Sequence, residues 1–213
     1  AEYLERNGFK AGIINLAELM VTYPNLNVER FLSRLESKIF GIGLHWCIHT
    51  QGAIEIARLC KKLHPNSVIL MGGLTATRFH DQLVREFRFI DAVSRGESEN
   101  SLLHFLNTRS LGEVPNLTYR KDYHSIRVNM LNQTCTDLDT FDFTRLDMII
   151  YKSSSIVTKS WNIPICRGCI YNCRHCGGSA YSYRRLFCRE KPAFRSPSKI
   201  IEDLKKLSEQ GVE

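Results

Sequence analysis

Between Asn27 and Leu106 the chain alternates short, unbroken apolar runs with stretches whose apolar residues recur every three or four positions. Ile39–Leu44, Ser67–Met71 and Asp91–Ser94 are runs of strand type. Asn27 is placed to cap a helix whose apolar face is Val28, Phe31, Leu32 and Leu35. Ala53–Leu63 reads as a helix burying Ile56, Ala57, Cys60 and Leu63, and Asp81–Phe87 as another. Gly96-Glu97-Ser98 leads into a helix through Leu102, Leu103 and Leu106. Strands that are apolar throughout and separated by helices build a parallel sheet covered on both faces. Ligands of such sheets sit outside the carboxyl ends of the strands. Those ends are expected at Asn15-Leu16-Ala17, Leu44-His45-Trp46, Gly72-Gly73-Leu74 and Arg95-Gly96-Glu97.

The flanking segments extend this α/β pattern. Ala1–Asn7 reads as the end of a helix stopped by Gly8, and Ala11–Leu16 as a strand. The chain opens on a helix and without Met, so the expected fold is a Rossmann-like (flavodoxin-like) parallel sheet lacking its first strand. Leu117–Arg120 and Ser125–Asn129 alternate around Lys121-Asp122-Tyr123-His124, a hairpin signal, and the acidic stretch Asp137–Asp147 reads as a linker. A strand at Asn162–Cys166 then precedes a cysteine-rich loop. Ser196, with Pro197 after it, caps a helix with the stripe Ile200, Ile201, Leu204 and Leu207, which ends at Gly211. Val212-Glu213 would open a further strand. Strand, loop, helix, strand is the opening of a β/α barrel, which takes roughly 200 residues when complete, so a truncated barrel is expected. The expected domains are 1–110 (α/β), 111–160 (hairpin and linker) and 161–213 (start of the barrel).

No run of about 18 apolar residues exists to span a membrane, and the first residues form no signal-peptide stretch. The net charge of +7 is concentrated between Lys152 and Arg195 rather than in one basic run, so a nucleic-acid groove is not expected. Of eight cysteines, Cys47, Cys60 and Cys135 are scattered, whereas Cys166, Cys169, Cys173, Cys176 and Cys188 crowd together. That distribution suits metal binding in a reducing cytoplasm better than a disulfide framework.

The core of the cluster is Cys169-Ile170-Tyr171-Asn172-Cys173-Arg174-His175-Cys176, a C-x3-C-x2-C spacing. Three thiolates on a short loop can ligate three irons of a cubane, leaving the fourth open to a small molecule. At these residues the chain resembles the radical S-adenosylmethionine family. The resemblance implies a 4Fe-4S cluster on Cys169, Cys173 and Cys176. S-adenosylmethionine then chelates the open iron and is reductively cleaved to a 5′-deoxyadenosyl radical. His175 holds the place of the family's usual aromatic residue before the third cysteine. Gly177 and Gly178 permit close backbone approach to cluster or cofactor, though a plain turn would use them equally well. Two readings without this chemistry stay open. Cys166-x2-Cys169 with Cys173-x2-Cys176 could hold zinc, although zinc ribbons separate such pairs by about 15–20 residues. Cys166 could also close a four-cysteine electron-carrier cluster, but its apolar setting favours a packed thiol. Cys188 has no partner in the motif.

Residues 1–108, placed before such a loop, resemble the cobalamin-binding domain of one large radical S-adenosylmethionine subfamily. The resemblance rests on Gly41-Ile42-Gly43-Leu44, Gly72-Gly73 and Arg95-Gly96-Glu97-Ser98-Glu99. It implies cobalamin contacts at Leu44, His45, Gly72, Gly73 and Gly96. The D-x-H-x-x-G motif of many cobalamin domains is absent; its usual place precedes Ala1. The bland readings are an α/β unit without cofactor, a surface His45, and a Glu97 favoured by the helix dipole alone. The resemblance implies a cytoplasmic enzyme acting on a small molecule or natural-product intermediate by methyl transfer or related radical chemistry, with flavodoxin or ferredoxin as electron donor. The alternative is a non-catalytic iron–sulfur or zinc module.

Overall fold

The computed structural model describes residues 1–151 and 161–212. Part of the expected linker, the start of the basic stretch at Lys152 and the final strand residue Glu213 lie outside the described residues. In chain order the elements are α1 (Glu2–Arg6), α2 (Leu16–Thr22), α3 (Val28–Leu32), β1 (Ile39–Gly43), α4 (Thr50–Leu63), β2 (Val68–Gly72), α5 (Leu74–Arg78), α6 (His80–Glu86), β3 (Ala92–Ser94), α7 (Glu99–Thr108), β4 (Leu117–Arg120), β5 (Ile126–Val128), β6 (Cys166–Arg167), α8 (Ala180–Phe187), β7 (Ala193–Phe194) and α9 (Pro197–Glu209). They fall into two compact units, each drawn from separated stretches of chain. One comprises Asn27–Cys135 and Cys169–Lys191; the other comprises Ala1–Leu26, Thr136–Gly168 and Pro192–Glu213.

The first unit is an α/β layer structure around a five-stranded sheet in the order β1-β2-β3-β4-β5. β1, β2 and β3 are parallel, with Ile39 opposite Val68 and Leu70 opposite Ala92. β4 and β5 continue the sheet antiparallel, so the expected hairpin forms and makes the sheet mixed. The period of two along β2 divides the core. Ile69 and Met71, with Val93, face the cluster built by Leu32, Ala57, Cys60, Leu83 and Val84 of α3, α4 and α6. Leu70 and Ala92 face the opposite cluster with Phe105, Val114, Leu117 and Tyr119. Both crossovers, β1-α4-β2 and β2-α5-α6-β3, therefore pack on one face and α7 on the other. The arrangement is consistent with a Rossmann-like half. Because the parallel strands run in sequential order, no reversal of strand order occurs among the described residues.

Asn27 caps α3 as its sequence predicts, its side chain accepting from the Arg30 N–H at 2.9 Å. Asp91 stitches β2 to α4: its carboxylate accepts from Ile69 N–H at 2.7 Å and from Lys61 Nζ at 2.9 Å.

In the second unit two expectations are corrected. Ala11–Leu16 is not a strand. Ile13 alone forms a bridge, to Ile149, and Asn15 starts α2 instead, accepting from the Glu18 N–H at 3.2 Å while its amide donates to Glu18 Oε2. That reciprocal Asn-x-x-Glu capping outcompetes the apolar run. The strand expected at Asn162–Cys166 shrinks to Cys166–Arg167, paired antiparallel with Ala193–Phe194. An antiparallel ribbon is not the parallel opening of a barrel, and the described residues display no barrel. Ser196 does cap α9, accepting from Lys199 N–H. The stripe differs from expectation, however: Ile201 and Leu204 are exposed, and Asp203 faces inward with Leu207. Arg195 makes this possible, its Nη2 donating to Asp203 Oδ2 at 2.6 Å with both side chains fully buried.

Candidate functional site

The carboxyl edge of the parallel strands is built from three loops. Leu44, directly after β1, is fully buried and is the last core residue of that strand; its N–H donates to Gly72 O at 2.7 Å. The next residue, His45, is exposed. Its carbonyl accepts from Thr75 Oγ1 at 2.8 Å, and its Nδ1 lies 3.4 Å from Leu74 N–H. Gly73 follows β2 with φ +104, and a Cβ there would lie 2.7 Å from the Leu44 carbonyl oxygen. Its lack of a side chain is therefore required by the β1 loop crossing it, whatever ligand lies above. Gly72 has only ordinary contacts, with Ser98 and Ser94. Gly96, after β3, has φ +67 and donates its N–H to Thr77 Oγ1 at 2.9 Å. Leu44, His45, Gly72, Gly73 and Gly96 thus share one edge.

The cysteine loop belongs to the same compact unit and lies on that edge. A Cβ on Gly177 would sit 3.1 Å from Leu74 Cδ2, at the start of α5. A Cβ on Gly96 would sit 3.2 Å from Phe187 Cα, at the end of α8. The end of the cysteine loop is therefore seated against the loop of β2, and the end of the helix that follows it against the loop of β3. The loop folds back on itself: Ala180 N–H donates to Tyr171 O and Tyr181 N–H to Asn172 Oδ1, both at 2.8 Å. Ser179 caps α8, accepting from Ser182 N–H.

Cys169 is half-buried, Cys173 and Cys176 are exposed, and all three are free thiols. Cys169 Sγ accepts the Tyr171 N–H at 3.4 Å, the kind of backbone bond that stabilises a ligating sulfur. In number and type these donors suit a cubane with one open iron. Among the described residues, no three His, Cys, Asp or Glu side chains are gathered at metal-binding distances. His175 is exposed beside them, and Gly178 lies close to Cys176 Sγ. Cys166, expected to pack in a core, is exposed in β6; Cys188 is exposed in a left-handed conformation that ends α8. Cys60 is a structural thiol, which burial pushes up to about 11.

One feature of the site is not visible in the sequence. Arg189, next to Cys188, and Glu97, next to Gly96, form an ion pair in which both side chains are almost fully buried. Arg189 Nε donates to Glu97 Oε1 at 2.6 Å and Nη2 to Oε2 at 2.9 Å. Glu97 Oε2 also accepts the Cys135 N–H at 2.6 Å, and Arg189 Nη2 also donates to the Cys135 carbonyl. Losing one partner of such a pair leaves a buried charge, at a cost of about 3–5 kcal/mol. The partners are 92 residues apart, beyond the reach of any local pattern. Two shallow depressions, of about 410 and 520 Å³, lie elsewhere and share no residue with this edge.

No protein-family model matches the chain. Over 163 residues it is 25% identical to the anaerobic magnesium-protoporphyrin IX monomethyl ester cyclase of Rubrivivax gelatinosus, covering 72% of this chain and 28% of that protein. Over 174 residues it is 26% identical to the protein of the same name from Cereibacter sphaeroides, covering 75% and 26%. Over 158 residues it is 26% identical to an uncharacterized methyltransferase of Pyrococcus horikoshii, covering 71% and 33%. The chain therefore spans about a quarter to a third of the length of these relatives, whose names are those of enzymes. Among the described residues no helix is long and apolar enough to cross a membrane.

Proposed function

We propose that the chain is part of a radical S-adenosylmethionine enzyme in which Cys169, Cys173 and Cys176 hold a 4Fe-4S cluster and the carboxyl edge of the α/β sheet takes cobalamin. The observation that carries this reading is the C-x3-C-x2-C loop seated on the strand ends where α/β sheets bind ligands. The similarity to proteins named as a cyclase and a methyltransferase supports it. When bound, such a cluster supplies the electron that cleaves S-adenosylmethionine to methionine and a 5′-deoxyadenosyl radical.

The chain's own residues have separate tasks in this reading. The three thiolates ligate. His175, Gly177 and Gly178 border the place where S-adenosylmethionine meets the loop. His45, Gly72, Gly73 and Gly96 form the floor for cobalamin, fully buried Leu44 supports that floor from the core instead of touching the ligand, and exposed Trp46 offers an apolar surface beside it. The substrate class is a small molecule, the chemistry methyl transfer or a related radical reaction, and the reductant a flavodoxin or ferredoxin of an oxygen-poor cytoplasm.

The test is anaerobic reconstitution of the full-length protein with iron and sulfide. Four irons and four sulfides, an EPR signal of the reduced cluster that changes on adding S-adenosylmethionine, and 5′-deoxyadenosine in the products are expected. All three signatures should vanish in Cys173→Ala. Zinc without sulfide, or a cluster indifferent to S-adenosylmethionine, would replace this reading by a non-catalytic metal module.

A further inference from the structure

We infer that Glu97 and Arg189 are a positioning pair that fixes where the cysteine loop lies on the sheet edge, and hence where its ligands are presented. The inference rests on the reading of that loop as the cluster site. The segment from Gly177 through α8 reaches the edge at two places, Gly177 in the loop against Leu74 and Phe187 at the end of α8 against Gly96. The first contact meets a flexible side chain, which lets the loop shift. The second is backbone against backbone, and directly after it come the two charges.

Three separate chain segments meet at this pair: the loop after β3 through Glu97, the residue after α8 through Arg189, and Cys135 through both its N–H and its carbonyl. A bidentate guanidinium–carboxylate pair fixes direction as well as distance. The surroundings also fix which residue carries which charge. The Cys135 N–H needs the acceptor Glu97, and its carbonyl needs the donor Arg189. With the charges exchanged, donor would face donor and acceptor would face acceptor. Arg189 N–H further donates to Tyr183 O at 3.1 Å, tying the pair to the body of α8. Displacement of a reacting group by about 1 Å can cost on the order of a hundredfold in rate, so a pair that governs the loop's seat governs presentation without touching the reacting atoms.

The experiment compares full-length wild type, Glu97→Gln, Arg189→Lys and the exchanged double variant Glu97→Arg/Arg189→Glu. After anaerobic reconstitution the single variants are expected to carry wild-type iron and sulfide, since no thiol is altered. The change in their reduced EPR signal on adding S-adenosylmethionine should be diminished, and 5′-deoxyadenosine formation should fall about tenfold or more. In protein without iron, amide hydrogen exchange should rise over residues 177–189 and stay unchanged in β1 and β2. Arg189→Lys, which keeps the charge, decides the matter if Glu97→Gln loosens the whole sheet. Unaltered exchange over 177–189 or an unaltered EPR response would overturn the inference; the exchanged pair, whose charges would meet the wrong groups of Cys135, is expected to stay as loose as the single variants. Wild type that binds no iron or sulfide would instead overturn the cluster reading, and the exchange experiment would still judge the pair.

Discussion

At the scale of single residues, the glycines on the strand ends separate positions that tolerate a methyl group from those that do not. Gly73 combines a positive φ with a Cβ site 2.7 Å from the Leu44 carbonyl oxygen. Backbone there cannot yield as a side chain would, so Gly73→Ala should destabilise by about 2–4 kcal/mol, combining backbone strain with overpacking. Gly41→Ala, on β1 with open space at its Cβ site, serves as the control and should leave stability within about 0.5 kcal/mol. Urea midpoints of the two variants check this; equal midpoints would show that the β1 loop moves aside. Gly72-Gly73 stands out in the sequence as a place where the backbone is closely approached. What approaches Gly73 is the neighbouring loop of the same sheet, which sequence alone cannot distinguish from a ligand.

At the scale of elements, α9 contrasts a local device with a distant one. Ser196 satisfies one N–H of the first turn, so Ser196→Ala should cost about 1 kcal/mol. Asp203 neutralises Arg195 where both are fully buried, so Asp203→Ala should cost about 3–5 kcal/mol. Thermal unfolding of the two variants ranks them, and a smaller loss for Asp203→Ala would mean that water reaches Arg195. Caps of this kind were legible in the sequence, at Asn27 and Ser196, because a cap lies within three residues of what it binds. Asn15-x-x-Glu18 carried the same signal but was overshadowed by the apolar run before it. The inward turn of α9 was not legible: an acidic residue on an apolar stripe reads as solvent-facing until its buried partner is known.

At the scale of the whole molecule, titration of His80 connects the sheet to pH. Burial, and secondarily the charge of Arg95, hold this imidazole below its ordinary value of 6.5. Its Nδ1 lies 2.8 Å from Thr118 Oγ1. The unfolded chain therefore takes up the proton more readily than the folded one. Stability from this group is complete above about pH 6.5 and is lost as the pH falls from there toward the folded value. The urea midpoint should drop between pH 7.5 and 5.5, and less in His80→Gln; equal drops would acquit His80. The parallel strands, the hairpin, most helices of the sheet unit and the cysteine spacing could be read from short windows. The grouping of residues 169–191 with the α/β sheet could not, because Gly177 with Leu74, Gly96 with Phe187 and Glu97 with Arg189 each join stretches about a hundred residues apart. That grouping has a consequence for biogenesis. Synthesis runs from the amino end, so the sheet and the Gly96-Glu97 turn leave the ribosome well before Cys169 does. The cysteine loop thus emerges after the strand ends it sits on have been synthesised, which shortens the interval in which its thiols have no partner surface to meet.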